Sequence, residues 1–110
     1  MKTHQEIDER SLAMHRLVAE RVAQDPRLFA KAQGTLARWR ESVCVSSQPY
    51  LEDWERLMKR GVEACLAAAV EDSPRAAALR QSSPFSGVLS NKERFAFLRD
   101  WRWSHEASGT

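Results

Sequence analysis

The sequence predicts an all-α protein, a compact bundle of four to five helices that forms one domain. A chain of 110 residues has room for one modest core and little else. Only four glycines and four prolines interrupt a chain that is 43% hydrophobic and 29% charged, which suits a few long helices. Apolar residues recur at helical spacing along most of the chain. The connections between these segments are short and favour antiparallel neighbours.

The first two predicted helices each begin at a recognisable capping sequence. Thr3 and Glu6 have the spacing of a capping box, and apolar residues then recur over about five helical turns. Asp25-Pro26 places an acid at the next N-cap and a proline where its missing N–H costs nothing. The 3.6-residue period then continues over residues 28–43, which predicts a second helix.

The third helix is predicted to run over residues 50–69 without interruption. Its apolar face contains Tyr50, Leu51, Trp54, Leu57, Met58, Val62, Cys65, Leu66 and Ala69. On the opposite face, Glu52–Arg56 and Glu55–Lys59 have the favourable i, i+4 spacing. The preceding residues 43–48 break the period and predict a connection, with a short strand as the alternative.

Two further helices are predicted in the C-terminal part. Asp72-Ser73-Pro74 repeats the cap-and-proline pattern and begins a short helix that ends near Arg80. Residues 81–89 have no helical period, and a second capping box then begins the last helix at residues 90–93. The single domain is expected to cover residues 1–104, with residues 105–110 as a flexible tail.

The sequence indicates a reduced, cytoplasmic protein. It contains no apolar run of the roughly 18–20 residues that span a bilayer, and it turns acidic at Glu6 with no signal-peptide core. Cys44 and Cys65 lie 21 residues apart, outside any C-x-x-C pair and without a nearby histidine. We expect two reduced thiols, with Cys65 buried; a disulfide is the alternative, against which a reducing compartment argues.

No motif indicates catalysis, a metal or a cofactor. The chain lacks H-E-x-x-H, a phosphate-binding glycine loop, G-x-S-x-G and any metal-spaced cluster, so we expect a protein that is not an enzyme. The net charge of +2 is too small to indicate a nucleic-acid partner. Thirteen of the 17 basic residues are arginine, which favours bidentate contacts with carboxylate or phosphate, although genomic base bias yields the same composition.

The loop after the short helix is the first candidate site. An arginine, three serines and a glycine within residues 80–87 can cradle a phosphate at a helix N-terminus. The alternative is a corner whose serines satisfy the backbone while Phe85, Val88 and Leu89 fill the core. A third interpretation has the corner ordered against a partner protein. The predicted partner-binding residues of this segment are Arg80, Ser82, Ser83 and Phe85.

The last helix is the second candidate site. Its aromatic residues are too many for one core-facing stripe, so some rings are expected at the surface. Tryptophan and arginine dominate protein–protein hot spots, while the same mixture can stack single-stranded bases or belong to a fully packed terminal helix. A DNA-reading helix-turn-helix is disfavoured because a nine-residue loop precedes this helix. The predicted contact residues are Arg94, Arg99, Trp101, Arg102 and Trp103.

Residues 78–89, followed by Glu93-Arg94, resemble the small helical proteins of bacterial toxin–antitoxin-like gene pairs. Residues 12–25 and 50–57 fit the same resemblance. It implies a cytoplasmic antitoxin or dedicated chaperone that binds and silences, or keeps folded, a cognate toxin or effector from the adjacent gene. It carries over no catalytic residue. Many antitoxins also have a DNA-binding part, and this sequence lacks a clear one. The alternatives are a small DNA- or RNA-binding regulator and a self-associating structural protein, for instance a homodimer.

Overall fold

Helices account for nearly all of the chain that the structure describes. The structure is a computed structural model that describes residues 4–42 and 45–108. These ranges contain six α-helices, two 3₁₀ turns (Val45–Ser47 and Pro84–Gly87) and no strand, which confirms the all-α prediction. The α-helices are α1 (His4–Gln24), α2 (Arg27–Ser42), α3 (Gln48–Lys59), α4 (Val62–Ala69), α5 (Pro74–Arg80) and α6 (Asn91–Ser108).

The predicted third helix is in fact two helices, so six helices over the described ranges replace the expected four to five. α3 ends at Lys59, and the Arg60 N–H closes its last turn on the carbonyls of Arg56 and Leu57. Gly61 then adopts φ of +111° and ψ of 166°, a conformation that is essentially restricted to glycine. The apolar period continues in α4 after this break, and periodicity alone therefore does not detect it.

Several boundaries differ from the predictions or lie outside the described residues. The connection before α3 contains a 3₁₀ turn, and the alternative of a short strand does not occur within residues 45–48. Thr3, Val43 and Cys44 lie outside the described ranges, and with them the first predicted capping box. α6 runs to Ser108, and the domain boundary at residue 104 stays a prediction.

The other predicted helix starts have the expected hydrogen bonds. The Ser73 Oγ accepts from the backbone N–H three residues later at 3.2 Å. The Glu93 N–H donates to the Ser90 Oγ at 3.1 Å, and the Ser90 N–H donates to the Glu93 Oε1 at 3.4 Å. Before α2, the Asp25 Oδ1 accepts from the Arg27 N–H at 3.1 Å. These caps satisfy N–H groups that have no partner within the helix.

The core is organised around two aromatic contacts of Phe85. Its ring packs edge-on against Trp54 of α3 at a centroid distance of 5.7 Å, and it lies 6.4 Å from Phe29 of α2. Phe85 and Trp54 are both completely buried. The Trp54 Nε1–H donates to the Leu79 carbonyl at 2.9 Å, so the polar end of this buried indole is satisfied.

The last helix stands apart from this core. α1 packs against α2, α4 and α5, while α3 packs against α2, α4 and α5. α6 packs against none of these elements to a comparable extent. None of its side chains at positions 91–104 is buried, and none of them belongs to the core cluster or to the residues packed on it. The folded core is therefore formed by α1–α5 and residues 84–89.

Charged side chains follow the predicted spacing on the outer face of α3. Glu52 and Arg56 approach to 3.9 Å, and Glu55 and Lys59 to 3.2 Å. Arg40 of α2 joins this network at 3.6 Å from Glu52 and 3.5 Å from Glu55, which links the two helices. No helix in the described ranges combines the length and the apolar character needed to span a membrane.

Replacing Gly61 by alanine should lower the free energy of unfolding by about 1–3 kcal/mol, because a side chain disfavours this positive φ. A Cβ would meet no atom within 4 Å, so the cost is conformational. The control is Gly34→Ala in α2, where space is equally open and alanine should stabilise by about 0.5–1 kcal/mol. Urea unfolding followed by circular dichroism measures both values. Equal signs for the two variants would contradict the prediction.

Candidate protein-binding surface

A buried hydrogen-bond chain fastens the corner after α5 to α1. The His15 Nδ1 lies 2.8 Å from the Ser11 carbonyl, which only accepts, so Nδ1 carries the proton of the neutral ring. The His15 Nε2 therefore accepts from the Ser83 hydroxyl at 2.7 Å. The Ser83 Oγ in turn accepts from the Phe85 N–H at 3.1 Å. This chain of bonds connects residues that are 68 positions apart in the sequence.

A serine hydroxyl on a histidine nitrogen is also the arrangement of an activated nucleophile. Here His15 and Ser83 are only 5% and 3% exposed, and neither lines the grooves described below. Burial lowers the pKa of His15, opposed by the hydrogen bond to Ser11 and aided by the charge of Arg80. The pair is therefore a buried hydrogen bond to a neutral imidazole, and a substrate does not reach it in this conformation.

The buried Arg80 side chain also makes hydrogen bonds within the protein. Its Nη1 donates to the Ala69 carbonyl at 3.1 Å and to the Glu71 carbonyl at 2.8 Å, which satisfies acceptors where α4 ends. Its Nε–H is buried and has no hydrogen-bond partner in the described part of the chain. The groove that Arg80 lines also contains Asp8 and Asp72. Because these carboxylates repel a phosphate, Arg80 does not support the phosphate-cradle interpretation.

The corner residues predicted to contact a partner are mostly inside the fold. Arg80, Ser83 and Phe85 are 6%, 3% and 0% exposed, so a partner does not touch them in this conformation, and Ser82 is half-buried. Val88 and Leu89 are buried together with Phe85. The second interpretation, in which the corner fills the core, matches the structure. We therefore correct the candidate surface by removing Arg80, Ser83 and Phe85.

The rings of α6 divide into two groups. Phe97 and Trp101 are half-buried and stack at a centroid distance of 6.2 Å and an interplanar angle of 23°. Phe95 and Trp103 are 67% and 76% exposed. The expectation that some rings of this helix reach the surface is confirmed.

The stacked pair faces α1 across a groove of about 510 Å³. Leu17 of α1 lines the groove together with Phe97 and Trp101. The Arg21 Nε and the Glu93 Oε2, which also line it, are joined at 2.7 Å. The hydrogen bond from Arg21 is the main cause that lowers the pKa of Glu93, followed by the backbone N–H of Ser90. The inner side of α6 thus faces α1 across an apolar groove whose lining includes the Arg21–Glu93 ion pair.

The opposite side of α6 presents a stripe that we call the basic aromatic face. It consists of Lys92, Phe95, Arg99, Arg102 and Trp103, all of them exposed. Their spacing of i, i+3, i+7, i+10 and i+11 places them on one side of a helix. Lys92 and Phe95 were absent from the predicted contact residues. Phe95 was detectable from sequence because it lies one helical turn before Arg99.

Arg94 has a role within the chain. It is half-buried, and its guanidinium donates to the Ser86 carbonyl in the turn before α6. This bond ties the first turn of α6 to the corner. Of the five residues predicted on this helix, Arg99, Arg102 and Trp103 therefore remain as exposed contact candidates, while Trp101 lies in the groove.

Cys65 is the free thiol of α4 and is completely buried, as predicted. Burial raises its pKa to about 12, so the reactive thiolate does not form at neutral pH. Cys44 lies outside the described residues. Within those residues, no group of three or more His, Cys, Asp or Glu side chains is placed to hold a metal ion.

Comparison of the chain with protein-family models, curated proteins and solved structures found no match.

Acidification should destabilise the protein through His15. Its folded pKa lies below the ordinary value of about 6.5, so the unfolded chain takes up the proton first as the pH falls. Above about pH 6.5, His15 is neutral in both states and does not lower the free energy of unfolding. Below that pH, the free energy of unfolding falls by up to about 1.4 kcal/mol per pH unit. Urea unfolding at pH 7.5, 6.5 and 5.5 measures this slope.

The control for this slope is His15→Gln, whose amide can still accept from Ser83 and donate to the Ser11 carbonyl. We expect the free energy of unfolding of this variant to depend less steeply on pH. An unchanged slope would contradict the assignment, and so would an imidazole NMR titration that places the pKa of His15 at or above 6.5.

Proposed function

We propose that this chain is a non-catalytic binding protein that holds a partner protein through α6. The observation that carries the proposal is the exposure of Phe95 and Trp103, at 67% and 76%, on a helix whose described side chains lie outside the core. Exposed aromatic rings rimmed by charged residues are typical of interaction surfaces. Tryptophan and arginine are also the residues most enriched in interface hot spots.

The weak attachment of α6 supports this proposal. Most helical stability in proteins comes from packing an apolar face against the rest of the fold. In the free chain, α6 lines the groove on α1, and polar side chains of its first turn contact Arg21 and the Ser86 carbonyl. A partner that covers the basic aromatic face would supply the packing that the outer side of α6 lacks, and both molecules would remove apolar surface from water.

The resemblance to toxin–antitoxin-like gene pairs supports a partner of a particular kind. We propose a cytoplasmic antitoxin or dedicated chaperone that binds the product of the adjacent reading frame and neutralises or stabilises it. Such a role requires no reacting groups in the chain. It is compatible with a corner whose polar side chains form hydrogen bonds within the protein.

A nucleic-acid-binding regulator is the second candidate, because three cations flank the exposed rings on one face of α6. Binding to random single-stranded DNA at low salt tests it, since phosphate contacts weaken steeply as salt rises. Self-association through this face is disfavoured, because two copies would bring the same cations together.

Replacing both Phe95 and Trp103 by alanine should weaken the complex with the adjacent gene product by at least about 2 kcal/mol, or roughly 30-fold. The domain should stay folded, because both side chains are more than two-thirds exposed. Isothermal titration calorimetry measures the affinity, and circular dichroism checks the fold.

The matched control is Tyr50→Ala, which removes an aromatic ring that is 41% exposed on α3. This variant should bind as the wild-type chain does. The proposed function fails if the Phe95/Trp103 variant also binds unchanged, or if the wild-type chain forms no complex with that gene product.

A further inference from the structure

We infer that the basic aromatic face selects an acidic segment of the partner protein, in which carboxylates alternate with apolar anchors. This inference rests on the proposed function and adds the chemistry of the partner. The face combines two exposed rings with Lys92, Arg99 and Arg102, which are all exposed. An occupant of complementary charge would pair these cations while its apolar residues cover the rings.

Over residues 91–104, the acidic and basic side chains of α6 lie mainly on different sides of the helix. Glu93 turns toward α1, where Arg21 holds it at 2.7 Å, and Asp100 lines the same groove. Between Lys92 and Trp103, the part of α6 whose side chains the structure describes, no residue on the basic aromatic face is acidic. Asp100 does approach Arg99 to 3.6 Å, but both side chains are 76% exposed, so this pair is weak. A carboxylate from a partner can therefore replace Asp100 as the counterion of Arg99.

The spacing of the face defines the length of the segment. Phe95 and Trp103 are eight residues apart, which corresponds to about 12 Å along a helix axis, and Arg99 lies midway between them. A helix of two to three turns, or about four extended residues, covers this distance. The complementary segment would have two apolar anchors about 12 Å apart with at least one carboxylate between them.

The observations favour an acidic protein segment over two other occupants. A second copy of the chain would oppose Lys92, Arg99 and Arg102 to their own equivalents, which repel. Nucleic-acid binding usually draws on more cations, because a DNA-binding protein contacts on the order of 6–10 phosphates. Here three cations are flanked by Asp100, in a chain whose net charge is only +2.

The test measures binding of the full chain to the adjacent gene product at several salt concentrations. Arg99→Glu/Arg102→Glu reverses two cations of the face, and Lys31→Glu/Arg38→Glu makes the same change in net charge at exposed positions of α2. We expect the Arg99→Glu/Arg102→Glu variant, which we call the face variant, to bind at least tenfold more weakly at low salt. The difference should shrink as salt rises, while the α2 variant stays within about twofold of the wild type.

The results separate this inference from the proposed function. If Phe95→Ala/Trp103→Ala weakens binding while the face variant and the α2 variant bind equally well, the acidic partner segment is excluded and the protein-binding role of α6 stands. If neither α6 variant changes binding, both proposals fail. A 30-nucleotide single strand that binds at low salt and is lost in the face variant, without any effect on protein binding, would assign the charges to nucleic acid instead.

Discussion

The fold depends on placing Phe85 between Trp54 and Phe29. This ring comes from the corner between α5 and α6, and it completes a core to which α2 and α3 each contribute an aromatic residue. To deliver it, the chain must turn tightly, and the Ser83 hydroxyl satisfies the Phe85 N–H within that turn. The same hydroxyl donates to His15, so the position of the turn on α1 is set by a buried polar bond as well as by packing.

This arrangement determines how α6 leaves the core. Leu89 is buried and Ser90 is exposed, so the helix begins where the chain returns to the surface. The bond from Arg94 to the Ser86 carbonyl and the ion pair of Glu93 with Arg21 then hold its first turn. Both are polar contacts near the surface, where they gain little energy. α6 is consequently anchored at its start and lightly packed along its length, which leaves its outer side available to a partner.

Local chemistry predicted most of the fold. Helix caps such as Ser90–Glu93 depend on residues within one turn, and they form as expected. The break at Gly61 was missed because the apolar period resumes in α4 in nearly the same phase. The corner residues were misassigned for a different reason: a serine that bonds a phosphate and one that bonds a histidine 68 residues away look identical in sequence. Contacts at that separation are decided by packing, which no local pattern contains.

Helix geometry explains why α6 cannot satisfy all its rings within this chain. Phe95 and Phe97 are two residues apart, as are Trp101 and Trp103, and positions two apart point to nearly opposite sides of a helix. The groove on α1 is occupied by the Phe97–Trp101 stack. Rotating α6 to bury Phe95 and Trp103 would expose that stack instead. The groove on α1 covers one stripe, so covering both stripes requires a second surface. The partner that we propose would supply such a surface.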